Sequence, residues 1–295
     1  MNNRVWLITG ASRGLGLSMV LSLLSKGQTV VATTRNKQSL CDAIKQHQPD
    51  GTSDADSTSS RLLTLEVDLK SETSIKSAID TALATYGRID VIVNNAGYAV
   101  VGTVEEMTDA EFRAQFDINL FAVASVMRLA APVLRAQRSG YVINVSSVSG
   151  FSGDVPGIGA YTCSKFALDG LTEAFAAEMR PFGVRVSTIN PGHFRSSFLE
   201  SNSLVFAKDI MPCYQQVHDN HTQYLAAFNN NQSGDPAKLV EVLIKMVESD
   251  VATTPIHVFI GKDSYDNAKN VLSRYHNELD QWEHIAANTD YEKKE

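Results

Sequence analysis

Cysteine is scarce in this chain, and its scarcity argues against two kinds of architecture. The 295 residues include three cysteines, Cys41, Cys163 and Cys213. They are too few and too widely separated for a disulfide framework or a metal-ligand motif, so we expect three reduced thiols and no bound metal. His218 and His221 lie close together in the sequence but have no third ligand at a suitable spacing, and we expect both at the surface.

The sequence also lacks long apolar runs and an excess of positive charge. No window approaches the roughly 18 uninterrupted apolar residues of a membrane span, and the first residues show no secretory-signal pattern. The net charge of −7 provides no basic surface for nucleic acid or for an anionic membrane. We therefore expect a cytoplasmic protein that has no nucleic-acid or membrane partner and binds a small molecule.

What the sequence does contain is a regular alternation of two kinds of segment. Short apolar runs rich in β-branched residues occur at 4–9, 29–34, 62–67, 89–94, 141–146, 184–189 and 256–260. Segments with helical periodicity occur between them at 14–26, 36–46, 72–86, 109–138, 161–180 and 236–249. This alternation predicts a Rossmann-type α/β fold, a doubly wound parallel sheet of about seven strands with helices on both faces, in a single domain over 1–295.

Two segments depart from this alternation. Residues 192–234 are rich in aromatic and apolar side chains, and a long insertion of this kind typically covers a site, so we predict a substrate lid there. Residues 262–287 form a predicted C-terminal helical extension that packs on the sheet or on a neighbouring subunit. Its apolar positions are Ala268, Val271, Leu272, Tyr275, Leu279 and Trp282.

A glycine-rich turn follows the first predicted strand. Residues 9–16 read TGASRGLG, with glycine at positions 10, 14 and 16. Glycines let the chain turn sharply and let a pyrophosphate approach the N–H groups at the start of the next helix. The turn therefore predicts a dinucleotide site.

The end of the second predicted strand indicates which dinucleotide is bound. An acidic residue here would bind the ribose hydroxyls of NAD, but the chain has Thr33, Thr34 and Arg35, with Arg13 available from the glycine-rich turn. Two guanidinium groups would bind the extra phosphate of NADP. The pattern favours NADP over NAD; the alternative is that both arginines are solvated surface charges.

The sequence YTCSK at 161–165 places a tyrosine and a lysine one helical turn apart. Tyr161 and Lys165 therefore share a helix face, and a nearby cation favours the phenolate and lowers the phenol pKa from about 10. Such a pair can transfer protons. For an isolated Y-x-x-x-K, the alternative is a tyrosine at a helix start with a lysine on a solvated face.

Five motifs occur together in this order. They are TG-x-x-x-G-x-G at 9–16, NNAG at 94–97, INVSS at 143–147, Y-x-x-x-K at 161–165 and NPG at 190–192. In these motifs, and over about residues 4–195, the chain resembles the classical short-chain dehydrogenases/reductases. The resemblance implies an NADP(H)-dependent oxidoreductase that interconverts a ketone or aldehyde and an alcohol. It also implies a homodimer or homotetramer formed through the helices at 109–138 and 161–180.

The resemblance also assigns roles to individual residues. Tyr161 would be the general acid or base, Lys165 would lower its pKa and bind the nicotinamide ribose, and Ser147 would polarise the substrate carbonyl. Asn119 would sit in a helix kink and hold a water that links Lys165 to solvent. The cofactor contacts implied by the resemblance and by the arginine pattern are Gly10, Ser12, Arg13, Gly14, Leu15, Gly16, Thr34, Arg35, Asp68, Asn95, Ala96, Gly97, Tyr161, Lys165, Phe194 and Ser196.

Two questions stay open at this level. Ser147 lies 14 residues before Tyr161, one more than is usual in the family, so Ser146 and Ser149 remain candidates for the catalytic serine. Adjacent strand residues face opposite ways, so Ser146 and Ser147 cannot both face the site. A catalytically silent NADP(H)-sensing regulator is the alternative function, although it would need only the glycine-rich turn. The aromatic content of 192–234 favours an apolar or ring-containing substrate.

Overall fold

The computed structural model describes residues 3–47, 60–199, 203–229, 231–250 and 254–291. Within these ranges seven strands form one parallel sheet. They are β1 Val5–Ile8, β2 Thr29–Thr34, β3 Leu62–Glu66, β4 Val91–Asn94, β6 Gly140–Val145, β7 Val184–Pro191 and β9 His257–Ile260. Two short strands, β5 Ala99–Val101 and β8 Leu204–Phe206, pair in parallel outside this sheet.

The strand order places a ligand crevice at one edge of the sheet. The order is β3-β2-β1-β4-β6-β7-β9. Strands β2 and β3 therefore follow β1 toward one edge of the sheet, and β6, β7 and β9 follow β4 toward the other edge. Because all seven strands are parallel, their carboxyl ends share one edge, and open α/β sheets bind ligands where the direction of winding reverses. The predicted doubly wound fold is confirmed, and the space above β1 and β4 is where a ligand is expected.

Helices cover both faces because side chains alternate along each strand. They are α1 Gly14–Ser25, α2 Lys37–His47, α3 Glu72–Tyr86, α4 Asp109–Phe116, α5 Ala122–Gln137, α6 Gly159–Met179, α7 Gln215–Phe228, α8 Pro236–Glu248 and α9 Lys262–Ala286. Trp6 and Ile8 of β1 pack in the core formed with α1, α2 and α8, whereas Leu7 packs in the core formed with α3, α5 and α6. Burial on both faces explains why the strands read as continuous apolar runs.

The predicted helix at 109–138 is interrupted near its middle. Between α4 and α5, residues Asp117–Phe121 form a π-helical turn. By length and composition alone, Asp109–Gln137 is apolar enough to cross a membrane, a test that the buried core helices of other folds also pass. Here Val126, Met127 and Ala130 are buried in the core shared with the sheet, which accounts for the apolar composition.

The C-terminal helix α9 packs on the fold only at its start. Ser264, Ala268 and Val271 are buried. From Leu272 onward every described residue of the helix is exposed. Of the six predicted apolar positions, Ala268 and Val271 therefore pack on the fold, whereas the outer four lie beyond the surface that the first three turns of α9 cover, and their packing on a neighbouring subunit stays a prediction.

Candidate functional site

A cavity of about 1480 Å³ opens at the carboxyl ends of β1, β2, β4 and β6. This volume exceeds the roughly 300–1,000 Å³ of most ligand pockets, so it has room for both a dinucleotide and a substrate. The predicted site residues that line it are Gly10, Ser12, Arg13, Gly14, Leu15, Thr34, Arg35, Asp68, Asn95, Ala96, Gly97, Ser147, Tyr161, Lys165, Phe194 and Ser196. Gly16 and Asn119 lie directly behind its wall, against Asn95 and Gly97 respectively.

The glycine-rich turn between β1 and α1 leaves space that side chains would fill. Gly10 has a φ of 65°, and a Cβ there would lie 2.8 Å from Ala96 Cα. A Cβ at Gly16 would collide with the Gly10 carbonyl oxygen and lie 2.6 Å from Asn95 Nδ2. Helix α1 has no side-chain cap and no acidic residue in its first turn, so its first N–H groups offer donors to an anion. This cradle fits the pyrophosphate of a dinucleotide.

Asn95 shapes this turn from behind. Its Nδ2 donates to Thr9 O at 3.0 Å and to Gly10 O at 3.1 Å, and its backbone N–H donates to Thr9 Oγ1 at 3.0 Å. The side chain thus ties the end of β4 to the glycine-rich turn, which fixes the turn's carbonyl oxygens away from the phosphate position.

One corner of the cavity carries positive charge. Arg13 and Arg35 line it together with Thr34 at the end of β2. Asp68 lies at the same end of the cavity, where its Oδ1 accepts a hydrogen bond from Lys70 N at 2.9 Å. Guanidinium groups and a threonine hydroxyl are donors that suit a phosphate ester.

Tyr161, Ser147 and Lys165 meet in the middle of the cavity. Burial raises the pKa of Tyr161 to about 12, and its interaction with the Ser147 side chain opposes this. Lys165 Nζ donates to Val145 O at 2.7 Å and lies 5.7 Å from the Tyr161 ring centroid. Burial lowers the pKa of Lys165 to about 8, and Asp169 opposes this. The expected lowering of the phenol pKa is therefore not found, because burial outweighs a cation that points to Val145.

The side chains of the three candidate serines, Ser146, Ser147 and Ser149, have different surroundings. The Ser147 side chain interacts with the Tyr161 phenol and opposes the rise of its pKa, whereas the buried Ser146 Oγ lies 3.5 Å from Lys165 O, on the side of α6. Ser149 contributes its backbone N–H to Ser147 Oγ at 3.1 Å. The alternation of side chains at the end of β6 thus leaves Ser147 as the serine that faces Tyr161.

The buried charge of Lys165 makes the protein's stability depend on pH. The pKa of Lys165 is 10.5 in the unfolded chain and about 8 in the folded protein. Below pH 8 the side chain is charged in both states, so the full cost of burying that charge lowers the free energy of unfolding. As pH rises from 8 to 10.5, the folded form loses its proton first and this cost disappears. Lys165→Met should therefore raise the free energy of unfolding at pH 7 by about 3 kcal/mol.

Urea unfolding of the cofactor-free protein at pH 7 and pH 10 measures this difference. The gain from Lys165→Met should shrink as the pH rises, whereas Lys238→Met, at an exposed lysine of α8, should change stability little at either pH. An equal gain at both pH values would contradict the burial of a charged Lys165.

Asn119 lies in the π-helical turn with no exposed surface. Its Oδ1 accepts from Tyr98 N at 3.1 Å, and its Nδ2 donates to Tyr98 O at 3.0 Å and to Ser164 Oγ at 3.1 Å. A Cβ on Gly97 would sit 3.2 Å from Asn119 Oδ1 and 3.7 Å from Lys165 Nζ. Asn119 thus joins the segment after β4 to α6 close to Lys165. Its role in holding a water stays a prediction.

A buried Asp169–Asn190 pair supports the same centre and was not anticipated from the sequence. Asn190 Nδ2 donates to Asp169 Oδ2 at 2.8 Å and to Ser147 O at 2.9 Å. Burial raises the pKa of Asp169, although hydrogen bonds from Ser146 and Asn190 oppose this. Asp169 follows Lys165 by one helical turn, and this spacing was the available signal. The pair fixes the backbone that presents Ser147.

The model of the short chain dehydrogenase family matches residues 4–204, which span the glycine-rich turn, Ser147, Tyr161 and Lys165. The chain belongs to this family. It is 29% identical to the oxidoreductase BOA17 of Botryotinia fuckeliana over 90% of its own length and 91% of that protein. The protein is therefore an oxidoreductase of a family that uses a nucleotide cofactor.

Solved structures of other short-chain dehydrogenases resemble this one over most of its length. A short-chain dehydrogenase from Streptomyces avermitilis is 32% identical, with a TM-score of 0.84 over 99% of this chain and 100% of that chain. A metagenomic short-chain oxidoreductase in complex with NADP is 28% identical, with a TM-score of 0.65 over 87% of this chain and 96% of that chain.

The predicted lid of the dehydrogenase lies over the cavity in its described parts, 192–199, 203–229 and 231–234. Strand β8 pairs with β5 beside the cavity, and α7 contributes His221, Tyr224 and Leu225 to the lining. His218 is buried with its Nε2 2.7 Å from Glu106 Oε1, so the expectation that it lies at the surface is wrong. Among the residues that the structure describes, no three His, Cys, Asp or Glu side chains cluster as a metal site would need.

Glu106 anchors the lid of the dehydrogenase to the loop after β5. Its side chain has no exposed surface and accepts from Thr103 N at 2.9 Å, Thr103 Oγ1 at 2.8 Å and Met211 N at 2.8 Å, in addition to the His218 contact. Although burial opposes ionisation, these donors lower the pKa of Glu106 to about 2. The ionised carboxylate therefore holds two lid residues at neutral pH.

Glu106→Gln should destabilise the dehydrogenase by about 3 kcal/mol. The amide NH2 of glutamine cannot accept hydrogen bonds, so it would face the N–H groups of Thr103 or Met211 that now donate to the carboxylate. Thermal or urea unfolding at pH 7 measures the loss. Glu105→Gln is the matched control, since Glu105 is exposed and accepts a hydrogen bond from Tyr214. Equal effects of the two substitutions would mean that Glu106 does not hold the lid.

Proposed function

We propose that this dehydrogenase interconverts a ketone or aldehyde and the corresponding alcohol, with NADP(H) as the hydride carrier. One observation carries the proposal. Tyr161 and Ser147 line one wall of the cavity next to buried Lys165, and the same cavity contains the glycine cradle. Two hydroxyl donors facing one space can bind the oxygen of a carbonyl group, and the cradle fits the dinucleotide that would reduce it.

Each of the three side chains has a task in this reaction. The nicotinamide, when bound, supplies or accepts the hydride. Ser147 donates to the carbonyl oxygen as negative charge develops there during reduction. Tyr161 gives its proton to that oxygen, and Lys165 stabilises the phenolate that remains. With a pKa of about 12, Tyr161 carries its proton at neutral pH, as a general acid for reduction must.

The part of the cavity under the lid favours an apolar or ring-containing substrate. Apolar and aromatic side chains line it, among them Val155, Phe198, Val217, Tyr224 and Leu225. The Phe198 ring lies 5.9 Å from that of Tyr161, centroid to centroid. A flat or apolar group attached to the carbonyl would pack between these side chains.

The charged corner of the cavity favours NADP over NAD. Arg13, Thr34 and Arg35 can surround the phosphate on the adenosine ribose with charge-assisted hydrogen bonds. The NADP complex of the metagenomic relative supports the same choice. Asp68 lies nearby and would contact the adenine.

Arg35→Asp should reverse this preference. Loss of a charge-assisted hydrogen bond and the new repulsion should lower the kcat/KM ratio of NADP to NAD by about 100-fold. Initial rates at varied concentrations of each cofactor measure the ratio. Lys37→Asp is the control, since Lys37 is an exposed cation two residues away and is not among the residues lining the cavity. Equal ratios for the two variants would mean that Arg35 does not contact the cofactor.

A panel of aldehydes and of aliphatic, cyclic and aromatic ketones tests the function itself. Oxidation of NADPH, followed by its absorbance, should accelerate with at least one of them. Tight NADPH binding without turnover on any carbonyl compound, or on the matching alcohols with NADP, would instead favour a cofactor-sensing regulator on the same fold. The Ser147, Tyr161 and Lys165 arrangement favours the enzyme, because a sensor would have no use for it.

A further inference from the structure

The outer part of α9 exposes a row of large apolar side chains. Their exposed fractions are Leu272 56%, Tyr275 40%, Leu279 71%, Trp282 60% and Ile285 56%. No described part of the chain covers them, since every described residue from 272 to 291 is exposed. Apolar side chains clustered in this way mark an interaction surface.

The spacing of these residues indicates what kind of surface it is. Leu272, Tyr275, Leu279 and Trp282 follow one another at intervals of three, four and three residues. These are the first and fourth positions of two successive heptads, the spacing at which one helix packs along another with knobs in holes. The row is therefore shaped to receive a second helix.

Charges beside the row fit a second copy of the same helix in the opposite direction. When two copies run antiparallel, Leu272 lies opposite Trp282 of the other copy, and Tyr275 lies opposite Leu279. In this register Lys269 of each copy faces Glu283 of the other, which forms two ion pairs, and these outnumber the single like-charge contact between the two copies of Glu278. A parallel arrangement would instead bring Glu278 beside Glu283, and like charges at these positions oppose pairing.

The charge of the helix disfavours a membrane as the partner. Helix α9 contains Lys262, Lys269 and Arg274 against Asp263, Asp266, Glu278, Asp280 and Glu283. Helices that lie on anionic membranes carry a basic polar face. The acidic excess of α9 would be repelled by such a surface, whereas a second copy offers both signs.

We propose that two copies of this protein associate through antiparallel pairing of their α9 helices. Five half-exposed side chains from each copy would each remove on the order of 100 Å² from water, which reaches the roughly 1,000 Å² that specific interfaces need. Such an interface is small, so the association depends on protein concentration. It is separate from any contact made by the helices α4, α5 and α6.

Analytical ultracentrifugation of the full chain over a range of concentrations tests this association. Leu279→Glu combined with Trp282→Glu should remove one step of assembly, from dimer to monomer or from tetramer to dimer. Asn277→Glu combined with Gln281→Glu adds the same charge beside the row and should leave that step in place. Circular dichroism checks that both variants keep their helices. An unchanged assembly in the first variant would overturn the proposal.

Charge exchange tests the direction of pairing. Lys269→Glu alone and Glu283→Lys alone should each weaken the association about tenfold, or about 1.4 kcal/mol, because each substitution removes both ion pairs of the symmetric dimer. The double variant Lys269→Glu with Glu283→Lys restores opposite charges only if the helices are antiparallel, and it should recover the original affinity. Failure to recover, or binding of the unmodified protein to vesicles of phosphatidylcholine and phosphatidylserine, would contradict pairing with a second copy.

Discussion

Replacing Tyr161 with phenylalanine should lower kcat for carbonyl reduction by about 100- to 10,000-fold, the range contributed by a positioned general acid. The substitution removes one oxygen and leaves the ring, which packs against Phe198 with centroids 5.9 Å apart. The cavity should therefore keep its shape, and NADPH affinity should change little. Steady-state kinetics gives kcat, and NADPH fluorescence titration gives the affinity.

Tyr98→Phe provides the matched control for this experiment. Tyr98 lines the same cavity, and its hydrogen bonds to Asn119 use backbone atoms rather than the phenol. Loss of its hydroxyl should leave kcat within a few fold of the original. Comparable losses in the two variants would mean that Tyr161 acts through packing and not as an acid, and normal activity of Tyr161→Phe would refute the mechanism.

Gly16→Ala should abolish tight cofactor binding. The added methyl group would meet the Gly10 carbonyl oxygen and Asn95 Nδ2, and both belong to the network that shapes the phosphate cradle. Backbone cannot move aside as a flexible side chain can, so the turn must shift. A strain of about 3 kcal/mol, at the upper end for overpacked sites, corresponds to a loss of roughly 100-fold in NADPH affinity.

Isothermal titration with NADPH measures this loss, and Gly170→Ala is the control. Gly170 lies in α6, where an added Cβ would meet no atom within 4 Å. Because alanine favours a helix over glycine, this variant should gain about 0.5–1 kcal/mol of stability and bind NADPH normally. Unchanged NADPH affinity in a folded Gly16→Ala protein would mean that the turn does not bind the phosphates.

Much of the secondary structure could be predicted from local patterns of apolar residues in the sequence. Continuous apolar runs such as 29–34 predicted buried parallel strands, and β2 occupies the same residues with all six buried. Right-handed crossovers between parallel strands restrict the sheet to a few strand orders, and the structure decides which of them the chain adopts. The interruption at Asp117–Phe121 was anticipated as a kink near Asn119, but its π-helical form depends on contacts with Tyr98 and Ser164.

Other features depend on residues far apart in the chain. His218 was expected at the surface because no third metal ligand lies at a suitable spacing in the sequence, yet Glu106, 112 residues away, holds it in the interior. The phenol pKa was expected to fall beside Lys165, but burial raises it. Sequence spacing gives the distance between two side chains on one helix and says nothing of how much water reaches them.

The amino-acid sequence by itself determined the parallel sheet, the glycine-rich turn and the helical phase that brings Tyr161 and Lys165 to one face, because these depend on periodicity and on backbone conformation. Only the tertiary structure decided which serine faces Tyr161, how Asp169 and Asn190 hold the backbone of that serine, and which residue joins the segment 192–234 to the loop after β5. Those outcomes depend on burial and on hydrogen-bond partners brought together from distant segments, and both arise only when the strands and helices pack.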